Sequence, residues 1–193
     1  MTILHPGSRT ALIVVDMQAG ILASAWERER VIANVAHVVS RARDAGVPVI
    51  WVQHNDSELP RGSVPWQLVA GLRPVGGEPV IDKSFNSAFE QTELEQQLKD
   101  LGISHLLLAG TLTNWCIRST AYAALERGYD LTLVEDAHTT DDLTLSDGRV
   151  IPARDIVDEL NVAIRWLAYP GRMNTIAAAA DVDFGVSGDG GSR

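Results

Sequence analysis

Two hydrophobic rhythms take turns along this chain. Short unbroken apolar runs are followed by stretches in which apolar residues return every three or four positions. The first run, residues 10–16, reads Thr-Ala-Leu-Ile-Val-Val-Asp and ends in a carboxylate. Runs of this kind are typical of strands buried on both faces, as in a parallel sheet. Residues 26–45 then carry Val31, Val35, Val38, Val39 and Ala42 as a helical stripe, closed by Gly46. A second strand is predicted at 47–53, with Pro48 tolerated near its start. Residues 54–79 are polar, bear Gly and Pro, and follow neither period. An excursion of that length in a compact domain reads as a lid or binding loop. After a short strand at 80–81 the alternation becomes regular: helix 89–101, strand 104–109, helix 115–127, strand 129–134, helix 151–167 and an edge strand at 173–177. This order predicts an α/β fold with a mainly parallel sheet and right-handed crossovers. One domain is expected over 1–182, with 183–193 a flexible tail.

Composition adds exclusions. Apolar residues make up 46% and charged residues 21%, ordinary for a soluble globular protein. Sixteen Lys and Arg against 25 Asp and Glu leave a net charge of −9, which argues against nucleic acid or an anionic membrane as partner. No apolar stretch approaches the roughly 20 residues that span a bilayer. With one cysteine and no secretion-signal pattern at its start, the chain is expected in a reducing cytoplasm.

That cysteine, Cys116, lies where an apolar run gives way to an Ala-rich helical pattern. Unpaired backbone N–H groups and the positive end of a helix dipole favour a thiolate there. Ligands of open α/β sheets bind beyond the carboxyl ends of the strands. Asp16 and Lys83 also fall at such ends. Taken alone, Asp16 reads as a helix cap, Lys83 as a surface charge and Cys116 as a small buried hydrophobe. Together they offer a proton acceptor, a cation and a nucleophile at one edge of one sheet.

Three segments carry a resemblance. They are Ala11-Leu12-Ile13-Val14-Val15-Asp16-Met17-Gln18; Asp82-Lys83-Ser84 with Ser87-Ala88-Phe89; and Gly110-Thr111-Leu112-Thr113-Asn114-Trp115-Cys116-Ile117-Arg118-Ser119-Thr120-Ala121. In this order, and with Gly128-Tyr129-Asp130 and Asp136-Ala137, they resemble the signatures of the isochorismatase-like cysteine hydrolases over residues 10–137. The resemblance implies a three-layer α-β-α fold on a mostly parallel six-stranded sheet. It implies a catalytic triad of Cys116, Asp16 and Lys83, with the backbone N–H groups of Leu112 and Cys116 as an oxyanion hole. It also implies a cis peptide at Thr111–Leu112 and a homo-oligomer, a dimer or tetramer.

The match to particular members is less complete. Nicotinamidases of the family hold a metal with an Asp-x-His-type cluster after the second strand; here Gln53-His54-Asn55-Asp56 supplies one His and one Asp. No metal and no cofactor are therefore expected. Isochorismatases need basic groups for carboxylates, for which Arg61, Arg73 and Arg118 are the candidates. The reading placed first is hydrolysis of a C–N bond in a small amide or carbamoyl compound through covalent Cys116. Vinyl ether cleavage stands second. A small-molecule-binding member without turnover, and a thiol oxidation sensor, are the readings from another class. Gln18, His54, Trp66, Phe85 and Trp115 are candidate pocket residues, while Asn114 reads as a helix cap.

Overall fold

A computed structural model describes residues 9–185. The tail expected at 183–193 lies, from residue 186 onward, outside the described residues. Six parallel strands form the sheet: β1 (Arg9–Val15), β2 (Val49–His54), β3 (Val80–Lys83), β4 (Ile103–Thr111), β5 (Asp130–Thr139) and, after a hairpin, β8 (Asn174–Ala177). The hairpin strands are β6 (Leu143–Thr144) and β7 (Val150–Ile151). The helices are α1 (Arg28–Asp44), α2 (Leu94–Asp100), α3 (Arg118–Arg127) and α4 (Ala153–Trp166). The sheet order is β3-β2-β1-β4-β5-β8. The chain winds outward in one direction from β1 to β3, then in the other from β4 to β8. Adjacent β1 and β4 therefore frame the crevice at which such sheets bind ligands.

The unbroken apolar runs have a direct explanation. Successive side chains of a strand point to opposite faces. In β1, Ala11, Ile13 and Val15 enter one core while Leu12 and Val14 enter the other. Leu106 and Leu108 of β4 divide from Leu107 and Ala109 in the same way. The first core is closed by Leu94 and Leu98 of α2, Ala121, Ala124 and Leu125 of α3, and Leu160 and Ile164 of α4. The second is closed by the stripe Val31, Val35, Val38, Val39 and Ala42 of α1, and by Val69 and Leu72 of the long loop. Three layers result, as expected. The loop is packed onto the body through these apolar residues rather than standing free as a lid.

Several boundaries differ from the sequence reading. The helix expected at 89–101 begins only at Leu94, because residues 84–93 form turns. The strand expected at 129–134 runs on to Thr139, past a register shift opposite Leu108 and Gly110. The helix expected at 115–127 splits into a π-helical turn, Thr113–Ile117, and α3. At the crevice, Gly110 pairs with Val15 and adopts φ 128°, where a Cβ would strike the Val15 backbone. Only glycine allows β1 and β4 to approach this closely. Gly110→Ala is expected to lower unfolding free energy by about 3 kcal/mol or more. A loss below about 1 kcal/mol in urea denaturation would contradict this packing argument.

Candidate active site

Asp16 follows the last residue of β1 and bends the chain out of the sheet in the left-handed region, at φ 51°. A non-glycine residue there needs firm anchoring. Its N–H donates to the Val52 carbonyl at 2.8 Å, and its own carbonyl accepts the Thr111 hydroxyl at 2.6 Å. Its carboxylate is thereby fixed beneath the β1–β4 crevice, fully buried. Lys83 ends β3 and Cys116 lies in the π-helical turn after β4. Both Trp115 and Ile117 donate their N–H groups to the Leu112 carbonyl at 3.1 Å, which folds that turn tightly around Cys116. The Thr111–Leu112 peptide is cis.

The three side chains expected together do meet. Lys83 Nζ lies 2.7 Å from Asp16 Oδ2 and donates to Cys116 Sγ at 3.2 Å. The Asp16–Lys83 contact is a fully buried ion pair. Burial raises the Asp16 pKa above its ordinary value, and the Lys83 charge opposes that rise. Burial, and next the Asp16 charge, push the Cys116 thiol up to about 12 against the pull of Lys83. This corrects the expectation that the strand-to-helix junction favours a thiolate. Cys116 is thereby held as a neutral thiol.

A cavity of about 230 Å³ opens over the trio, lined by Asp16, Ile21, His54, Asn86, Leu112, Trp115 and Cys116. Of the candidate pocket residues, His54 and Trp115 are there. Gln18 is not: it is fully buried, and its amide donates to the His54 and Trp66 carbonyls at 2.9 Å each. It braces the loop instead of facing a ligand. Trp66 contributes that carbonyl while its ring lies off the cavity, and Phe85 is 39% exposed outside it. The sequence reading missed Ile21 and Asn86. Asn86 stood three residues after Lys83, in the turn that brings strand β3 past the site, and that position was its only signal. A wider depression of about 1000 Å³ lies at the amino ends of the strands, around His105, Asp130 and Asn174, far from the trio.

A second polar chain holds the cysteine turn from behind. Asn161 on α4 donates to the Glu135 carbonyl and accepts His138 Nε2–H at 3.0 Å. His138 Nδ1 in turn accepts the Thr113 hydroxyl at 2.9 Å. Asn114 caps nothing, contrary to expectation; its side-chain oxygen accepts the Thr140 hydroxyl. Among the described residues no helix is long and apolar enough to cross a membrane, and no three His, Cys, Asp or Glu are grouped to hold a metal ion.

The model of the Isochorismatase domain matches residues 10–148, and the chain belongs to that family. It is 36% identical over 146 residues to a streptothricin hydrolase of Streptomyces noursei, a match covering 72% of this chain and 57% of that protein. The chain thus spans little more than half the length of this relative. Ureidoacrylate amidohydrolase RutB of Variovorax paradoxus (strain S110) is 30% identical over 176 residues, covering 69% of each. The crystal structure of an isochorismatase from Pseudomonas putida KT2440 superposes with a TM-score of 0.79 at 32% identity, covering 90% of this chain and 89% of that one.

His138 gives the site a pH signature in stability. Full burial lowers its pKa to about 4, against 6.5 ordinarily. Between those values the unfolded chain binds a proton that the fold excludes. The stability from neutral His138 is therefore complete above about pH 6.5 and declines as pH falls towards 4, by up to roughly 3 kcal/mol. Denaturation of wild type and His138→Gln across this window should show a steeper decline in wild type. Parallel declines would contradict the assignment.

Proposed function

We propose that the chain is a cysteine hydrolase that cleaves the C–N bond of a small, uncharged amide or carbamoyl compound without a metal. The observation that carries this reading is the single ammonium of Lys83 shared between Asp16 and the Cys116 sulfur. The printed activities of streptothricin hydrolase and ureidoacrylate amidohydrolase support it as those of relatives.

Asp16 takes the thiol proton as Sγ attacks the carbonyl carbon. Negative charge passes from the carboxylate to the sulfur and on to the carbonyl oxygen, and Lys83 needs no movement to accompany its first transfer. The oxyanion is assigned to the backbone N–H groups of Leu112 and Cys116, whose residues both line the cavity. Collapse breaks the C–N bond, and Asp16 returns its proton to the departing nitrogen. A thioester remains on Cys116. Water then attacks it while Asp16 takes one water proton; the acid departs, and that proton restores the thiol. The sum is amide plus water giving acid plus amine.

The cavity argues for an uncharged substrate. Its apolar wall is Ile21, Leu112 and Trp115, and Asn86 is a neutral polar contact. Arg61 pairs with Asp82, Arg118 pairs with Glu159, and neither these nor Arg73 lines the cavity. This ranks isochorismatase-type cleavage of a carboxylated ether below amide hydrolysis.

Small carboxamides and ureas should be hydrolysed by the wild type, with activity retained after exhaustive chelation. Cys116→Ala should lose at least about 10³-fold. Residual activity within about tenfold of wild type, or loss on chelation restored by zinc, would overturn the reading. The acid limb is a separate expectation. Protonated Asp16 cannot take the thiol proton, and its pKa is raised. Thus kcat/KM should fall as pH falls through a midpoint above the usual carboxylate value of about 4. A profile flat to that pH would contradict Asp16 as the base.

A further inference from the structure

Lys83 has a third neighbour that the proposed reaction does not use. An ammonium carries three N–H donors and no acceptor. Two are directed at Asp16 Oδ2 and Cys116 Sγ, and the third lies 3.3 Å from His54 Nδ1. Because Lys83 can only donate, His54 Nδ1 is the bare nitrogen and the ring proton sits on Nε2. Nε2 lies 3.1 Å from Asp56 Oδ2, an acceptor that suits that tautomer. Asp56 is itself tethered, its Oδ1 accepting the N–H groups of Glu58 at 2.8 Å and Leu59 at 2.7 Å.

The backbone of His54 is held as firmly as its ring. The His54 N–H donates to Gln18 Oε1 at 2.8 Å, and Gln18 Nε2 donates back to the His54 carbonyl at 2.9 Å. Strand register sets His54 of β2 directly beside Lys83 of β3. Gln18 follows Asp16 by two residues, so one buried amide links the strand end bearing the carboxylate to the strand end bearing the histidine.

We propose that His54 is a positioning residue: its Nδ1 lone pair fixes the rotation of the Lys83 ammonium so that the other two N–H groups stay on Asp16 and Cys116. A lysine head is a compact charge on a flexible four-carbon stem, free to swivel unless its donors are engaged. Two acceptors define an axis about which it can still rock, and a third closes a tripod. The third acceptor must also be neutral. A carboxylate there would compete for the positive charge that Asp16 and Cys116 share. Neutral imidazole satisfies the donor and leaves the charge where the proton moves. Both ring nitrogens are thereby engaged, so His54 offers a ligand only its ring face in the cavity.

This inference rests on Cys116 being the reactive group of the proposed hydrolase, but its test needs no substrate. Cys116 is the only cysteine, so its alkylation by iodoacetamide can be timed by intact mass. In His54→Asn the side-chain oxygen takes the place of Nδ1; in His54→Gln the polar group reaches past it, towards Nε2; His54→Leu has no acceptor. Alkylation should slow by about tenfold or more in the Leu and Gln variants, and the Asn variant should stay within about threefold of wild type. Melting curves would show which variants fold, and Asn against Gln gives the comparison if Leu does not. Equal rates for Asn and Gln, or a Leu variant as fast as wild type, would overturn the positioning role. If the alkylation order holds while no amide is hydrolysed, the hydrolase reading fails and the tripod stands.

Discussion

The buried ammonium of Lys83 is the constraint around which the rest of this site is arranged. Removing a lysine and an aspartate from water costs several kcal/mol per ion, and their attraction repays this only in good geometry. Here the pair lies at 2.7 Å with the Asp16 and Lys83 side chains fully buried. A thiol shares the same pocket and is kept protonated by the very burial that makes the ion pair costly. The arrangement makes little sense as a device for stability. It is coherent with the proposed reaction, in which negative charge leaves Asp16 for sulfur.

Sheet topology makes that geometry reproducible. Asp16, His54 and Lys83 stand at the carboxyl ends of three neighbouring strands, and parallel register fixes His54 beside Lys83. The β1–β4 crevice brings in the cysteine turn, and two local exceptions make it narrow enough. Gly110 lets β4 touch β1, and left-handed Asp16 turns its carboxylate under the loop. Behind the turn, buried Thr113 and His138 and half-buried Asn161 form a polar chain that ties it to β5 and α4. Positioning therefore comes from rigid elements on every side.

Much of this was legible in the sequence because it depends on periodicity. The buried runs marked β1, β2 and β4, and the three residues of the proposed triad stood at strand ends where α/β sheets place their ligands. What escaped depends on contacts between distant residues or on one extra residue in a turn. The amide of Gln18 looks free in sequence, yet it is saturated by His54 and Trp66, 36 and 48 positions away. A π-helical turn differs from an α-helical one by a single residue per loop, which apolar spacing does not resolve. Strands of two residues, as in the β6–β7 hairpin, are too short for any period. The protonation of Cys116 follows first from its own burial and next from the Asp16 charge beside it, properties of the packed site rather than of the motif.

The central claim is that Cys116 rests as a thiol and is ionised only by proton transfer to Asp16. With one cysteine in the chain, thiolate ultraviolet absorbance reports on that group without ambiguity. Titrated in the ligand-free protein, it should show no thiolate step between about pH 5 and about pH 9, where an ordinary cysteine ionises near 8.5. A step in the acidic or neutral range, showing a resting thiolate paired with Lys83, would contradict the account.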